Sequence, residues 1–137
     1  MSYAGDVSPT EAYDAVTGPD EALLVDVRTE AEWTFVGVPD LSGSGRQAAF
    51  VEWNRWPGGA PNEGFVDEVR AAGLEPGRPV YLLCRSGVRS LAAAEALTAA
   101  GLGPAYNVTD GFEGPHDPAH HRTLGGWKNA GLPWRQG

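Results

Sequence analysis

Cys84 is the only cysteine among 137 residues, and its surroundings could make it a nucleophile. The run Pro79 to Leu83 just before it reads as a strand. Arg85-Ser86-Gly87-Val88-Arg89-Ser90 follow, leading into an Ala-rich helix from about Ser90 to Ala100 that Gly101 closes. In α/β folds, ligands gather just past the carboxyl ends of strands. Gly87 is free to take a positive φ, so a tight loop here can turn successive N–H groups inward as an anion-holding nest. The amino end of the helix adds positive partial charge. Arg85 and Arg89 add two full charges. All three effects favour thiolate over thiol, the form that attacks. A lone cysteine can also be a small buried hydrophobe ending a strand. The flanking Arg, Gly and Arg before a helix weigh against that reading here.

The elements that must hold this loop follow from local signals. Ser8-Pro9-Thr10-Glu11 predicts a capped helix running to about Val16, ahead of Gly18-Pro19. Ala22 to Val27 is a nearly continuous apolar run, as in a strand covered on both faces. Thr29 and Glu32 form a second capping box, for a short helix through Trp33. Gln47 to Trp53 reads as a strand, and Asn62 as the cap of a helix near Gly64 to Ala72 that Gly73 ends. Ala105 to Val108 is a last short strand, and Gly126 to Ala130 a brief helix. Apolar strands alternating with helices indicate an α/β fold, a parallel sheet with helices on both faces. No internal repeat interrupts residues 1–137, which read as one domain.

Composition excludes several function classes. With one cysteine, neither an intramolecular disulfide nor a Cys-rich zinc site can form. No apolar run approaches the ~20 residues of a membrane helix, and Met1 to Asp6 has neither the basic end nor the apolar stretch of a secretory signal. A reducing, cytoplasmic setting is expected. The net charge of −8 lies wholly in residues 1 to 40, which hold nine acids and one base, Arg28; the remainder is neutral. Without a basic stripe, nucleic acid is not an expected partner. The acidic third reads as a solvated surface, or as a docking face for a basic partner.

Val25-Asp26-Val27-Arg28, Glu32-Trp33, the Cys84–Ser90 loop and Gly125-Gly126-Trp127-Lys128-Asn129-Ala130-Gly131-Leu132-Pro133 stand in that order along nearly the whole chain. Together they resemble a single-domain rhodanese. The resemblance implies a five-stranded, mostly parallel sheet and transfer of a sulfane sulfur through a Cys84 persulfide. The donor would be a small anion such as thiosulfate, and the acceptor cyanide, a thiol or a protein. No cofactor or metal is implied. Two-step covalent transfer predicts ping-pong kinetics. Amides of residues 85 to 89, Val88 included, would hold the anionic persulfide, with Arg85 at the mouth to recruit the donor. Arg89 either contacts substrate or braces the loop. Ser86 and Ser90 are possible hydroxyl donors, Ser90 more simply as the helix cap. Asp26 either orients the loop, by analogy with the family, or is a structural acceptor. Arg28 and Glu32, spaced i, i+4, are expected to pair, as the family pattern supports. Related phosphatases carry Cys-x5-Arg; here Arg89 comes one residue earlier and Ser90 stands at the phosphatase arginine's place, making a narrower nest.

The chain also departs from the family pattern. Where Glu-Phe-x-x-Gly-His-Ile-Pro-Gly-Ala is common, this sequence has Val36, Gly37 and Asp40 at the first glycine, the histidine and the second glycine. It therefore reads as a divergent branch. An insertion over 115–124 carries His116, Asp117, His120 and His121, whose loose spacing reads as solvated loop rather than metal site. Trp53 and Trp56 either line the pocket or anchor a loop; Trp127 and Trp134 are expected to fasten the tail. Few lysines and much Ala and Gly hint at a bacterial source. A non-catalytic binding or sensing module, a dedicated persulfide carrier and a phosphatase are the competing functions.

Overall fold

A computed structural model describes residues 3–19, 22–55, 58–114, 118–119 and 125–136. Its strands and α-helices in chain order are β1 (Gly5–Val7), α1 (Pro9–Thr17), β2 (Leu23–Asp26), α2 (Glu30–Phe35), β3 (Val38–Pro39), β4 (Ala49–Phe50), α3 (Phe65–Ala71), β5 (Pro76–Leu83), α4 (Val88–Ala99), β6 (Gly103–Val108), α5 (Gly126–Asn129) and β7 (Trp134–Arg135), with a 3-10 turn at Ser42–Ser44 between β3 and β4. Five strands form one parallel sheet in the order β1-β6-β5-β2-β4; β3 and β7 pair antiparallel beside it.

The side-chain period of two along each strand builds two cores. Leu23, Val25, Val80, Leu82 and Cys84 point to one face, where they meet Phe65 and Val69 of α3 and Ala93, Ala94 and Leu97 of α4. Leu24, Leu83 and Val108 point to the other, against Ala12 and Val16 of α1 and Trp127 of α5. All four residues of β2 are buried, as its unbroken apolar run requires. The α/β architecture with helices on both faces is therefore as expected, with every strand of the main sheet parallel.

Both capping boxes form. Ser8 and Glu11 cap α1 reciprocally, and Thr29 and Glu32 do the same for α2. Several local expectations need correction. The Gln47–Trp53 strand shrinks to two residues, although the Val51 and Trp53 amides still donate to the carbonyls of Asp26 and Val27. Asn62 lies just outside its helix: Gly64 is the cap, and the Asn62 carboxamide accepts from the Gly64 N–H at 3.1 Å. Trp53 packs edge-on against Phe65, so it anchors its loop in the core. Trp127 is fully buried and its indole donates to the Pro133 carbonyl at 2.7 Å, while Trp134 sits against Phe112 and Lys128; both tie down the tail. Trp56 lies outside the described residues, as do His116, Asp117, His120 and His121.

Candidate active site

Cys84 leaves the carboxyl end of β5, the middle strand of the sheet, flanked by β6 and β2. The segment after β6 clamps it in place. The Phe112 N–H donates to the Cys84 carbonyl at 2.7 Å, and those of Glu113 and Gly114 to the Arg85 carbonyl at 3.0 and 3.2 Å. Gly111 allows this approach: its φ is +56°, and a Cβ there would run into the Cys84 carbonyl oxygen and the Arg85 backbone. Gly87, at φ +108°, is the N-cap of α4 and turns its N–H onto Cys84 Sγ at 3.1 Å. The left-handed conformation foreseen for Gly87 is thus what aims a backbone donor at the sulfur.

The sulfur is only 1% exposed and belongs partly to the apolar core, beside Val25 and Ala93. Its polar side faces Gly87 N–H and Ser90 Oγ, the latter at 3.2 Å. Above it opens a cleft of about 480 Å³ lined by Glu32, Cys84, Arg85, Ser86, Val88 and Arg89, with Val88 standing far out at the start of α4. A larger hollow, about 710 Å³, is lined by residues that include Leu23, Arg46 and Pro76 at the opposite ends of the strands. It holds no part of this loop.

Both loop arginines are met by carboxylates. Arg89 donates two hydrogen bonds to Glu32, at 2.7 and 2.9 Å, and so braces the loop against α2. Arg85 is half-exposed at the mouth and lies 3.3 Å from Glu113. Burial alone would raise the Glu32 pKa, but the hydrogen bond and charge of Arg89, with help from the Thr29 amide and Arg28, bring it below its ordinary value. The Glu32 hydrogen bond raises the Arg89 pKa against the effect of burial, assisted by the charges of Glu32, Cys84 and Asp26.

The expected Arg28–Glu32 pair does not form. Arg28 turns back to Asp26, which accepts from its Nε, Nη2 and backbone N–H, and both side chains are fully buried. Its Nη2 also donates to the Gly37 carbonyl at 2.7 Å, and its guanidinium lies 4.2 Å over the Phe112 ring. Asp26 is therefore a structural acceptor beneath the clamp. Helical spacing misleads here because Arg28 precedes α2, which begins at Glu30. The capping role expected of Ser90 is likewise overturned. Ser90 lies inside α4, wholly buried, and its hydroxyl donates to Asn107 Oδ1 at 2.5 Å. Asn107 was not foreseen; a polar residue in the otherwise apolar Ala105–Val108 run was its only sequence signal. Among the described residues, no cluster of three or more His, Cys, Asp or Glu can hold a metal ion.

Comparison with known proteins decides the family. The family model described as the STR4 middle domain matches residues 4–137. The chain belongs to that family. A crystal structure of Rv0390 from M. tuberculosis superposes with a TM-score of 0.90 and 54% identity, covering 99% of this chain and 100% of that one. The uncharacterized protein RC0915 of Rickettsia conorii is 36% identical across 94% of this chain and 95% of its own length. Rhodanese-like domain-containing protein 4 of Arabidopsis thaliana is 30% identical over 93% of this chain, which spans 25% of that longer protein. The polysulfide-sulfur transferase of Wolinella succinogenes shares the fold at TM-score 0.64 and 22% identity, covering 96% of this chain and 78% of that one. The fold of this family member is rhodanese-like. No helix among the described residues is long and apolar enough to cross a membrane.

Proposed function

We propose that the protein is a sulfurtransferase in which Cys84 carries a sulfane sulfur as a persulfide. The observation that carries this reading is the N–H of Gly87 aimed at Cys84 Sγ at 3.1 Å, in a loop whose arginines frame a cleft over the sulfur. A backbone donor fixed by a left-handed glycine is suited to stabilising a thiolate and then an anionic persulfide. The chemistry balances without a cofactor. The Cys84 thiolate attacks the outer sulfur of thiosulfate, an S–S bond forms to Cys84, and the original S–S bond breaks to release sulfite. An acceptor such as cyanide then attacks the outer sulfur, leaves as thiocyanate, and regenerates the thiolate.

Arg85 is the group at the mouth placed to draw in an anionic donor, and Arg89 acts by holding the loop on Glu32. Amides of residues 85 to 89 would form the cup around the persulfide, that of Gly87 being the one directed at Cys84 Sγ. One cysteine leaves no internal resolving thiol, so an external thiol, cyanide or protein must complete the cycle, in a reducing cytoplasm. The departures at Val36, Gly37 and Asp40 support reading the protein as a divergent branch of rhodanese-like enzymes. Steady-state kinetics with thiosulfate and cyanide test the proposal. Parallel double-reciprocal lines, with all turnover lost in Cys84→Ser, are expected. Intersecting lines, or turnover that survives Cys84→Ser, overturn it. Hydrolysis of an aryl phosphate would favour the phosphatase reading instead.

A further inference from the structure

A chain of hydrogen bonds links the candidate nucleophile, at the middle of the sheet, to the β1 edge. Cys84 Sγ lies 3.2 Å from Ser90 Oγ; Ser90 Oγ donates to Asn107 Oδ1 at 2.5 Å; Asn107 Nδ2 donates to Asp6 Oδ1 at 3.2 Å. Tyr3 Oη donates to the same Asp6 oxygen at 2.8 Å. The first three residues are buried, while Asp6 is exposed on the edge strand β1. β1 and β6 hold the two far members in register, with Asp6 directly opposite Asn107.

The chain has a direction, and its exposed end sets it. An ionised carboxylate only accepts, so Asp6 requires the NH₂ end of Asn107. The carboxamide oxygen must then face Ser90, which commits the single Ser90 proton to Asn107. Ser90 is left with only lone pairs for the sulfur. It can accept from a Cys84 thiol, but it cannot donate to a thiolate. Gly87 N–H donates to the sulfur, whereas Ser90, held in this orientation, can only accept from it.

We propose that Asp6 and Asn107 are positioning residues that fix the direction of the Ser90 hydroxyl and thereby set the thiol–thiolate balance of Cys84. The proposal rests on Cys84 being the working nucleophile. Among the described residues, the charged groups facing the sulfur from other directions are Arg85 and Arg89, with Glu32 of α2 and Asp26 of β2 behind Arg89. Tyr3 stands on the far side of Asp6, near Glu95. None of these is altered in the test.

The test is the pH profile of Cys84 alkylation by iodoacetamide, which needs no sulfur transfer. Asn107→Leu changes no charge and frees the Ser90 proton to turn to the sulfur. The expected result is a midpoint lower by about one pH unit, with alkylation about tenfold faster below it, the scale of one hydrogen bond to a charged group. Asp6→Ala should move the midpoint in the same direction, persist in 1 M salt, and add nothing to Asn107→Leu. An Asn107→Leu profile that superimposes on the wild type overturns the proposal. So does an Asp6→Ala shift that is undiminished in the Asn107→Leu background, because that is a field acting through space. If Asn107→Leu fails to fold, Asp6→Ala in high salt decides: a surviving shift supports the chain, and superposition overturns it. Loss of sulfur transfer with these shifts intact would count against the proposed function and leave the chain standing.

Discussion

Arg28→Met isolates what the guanidinium beneath the Cys84 clamp contributes. Asp26 and Arg28 are both 0% exposed, and the carboxylate is held by Nε at 3.0 Å, Nη2 at 2.7 Å and the Arg28 backbone N–H at 3.1 Å. Methionine keeps a stem of similar length but leaves Asp26 with one backbone donor and takes the donor away from the Gly37 carbonyl. Removing one partner of a buried ion pair costs about 3–5 kcal/mol. That is a large share of the ~5–15 kcal/mol by which a domain is stable. Asp26→Leu alone leaves the guanidinium with only Gly37 and the face of Phe112, and should cost a similar amount. The double variant removes both charges, and apolar replacement of a whole buried pair is often close to neutral. What remains is the unmet Arg28-site amide and Gly37 carbonyl, about 1–3 kcal/mol each, and each single variant already carries one of these two losses. The double variant should therefore be more stable than either single one. Urea unfolding followed by tryptophan fluorescence, at an unchanged m-value, measures this. Single costs below about 1 kcal/mol, or costs that merely add, would refute the reasoning.

Glu32→Gln should destabilise the protein at pH 7 by about 1–2 kcal/mol, between the values for exposed and buried pairs. Because the folded pKa of Glu32 lies below its ordinary 4.5, the ion pair contributes fully above that pH, and its contribution is lost as pH falls through the folded value. The stability gap between wild type and Glu32→Gln, read by urea unfolding across pH, should therefore close on the acid side and stay constant above pH 5. Gly111→Ala should both unfold more easily and lose thiosulfate turnover, since its Cβ would displace the Cys84 and Arg85 backbone; full turnover would show that the clamp does not position the sulfur. Arg85→Gln should raise the KM for thiosulfate about tenfold while leaving transfer to cyanide nearly unchanged, as expected for loss of one charge-assisted contact at the mouth. An unaltered KM would remove Arg85 from donor recruitment.

What could be read from the sequence was local. Both capping boxes involve residues three apart, so spacing alone revealed them. The Cys84 loop was legible because its thiol, its arginines, its positive-φ glycine and its helix all fall within a few residues. β1 escaped notice because Gly5-Asp6-Val7 has no apolar run, and its partner strand lies about a hundred residues away. β3 and β7, two residues each, are held by tertiary contacts that no local pattern encodes. The partners of Arg28 and Glu32 were misassigned for the same reason. Burial under Phe112 turns Arg28 inward to Asp26, while Glu32 finds its partner fifty-seven residues along the chain in Arg89. Ser90 looked like a cap because Gly87 gave no sign that the helix begins earlier. Only the packed sheet brings Asn107 to it.

The most direct measurement is the mass of the intact protein after exposure to thiosulfate, with the modified residue located by peptide mapping. The expected result is a gain of one sulfur atom, located on Cys84, removed by cyanide and absent in Cys84→Ser. A protein that stays unmodified while Cys84 remains a free, alkylatable thiol would contradict the role given to its sulfur.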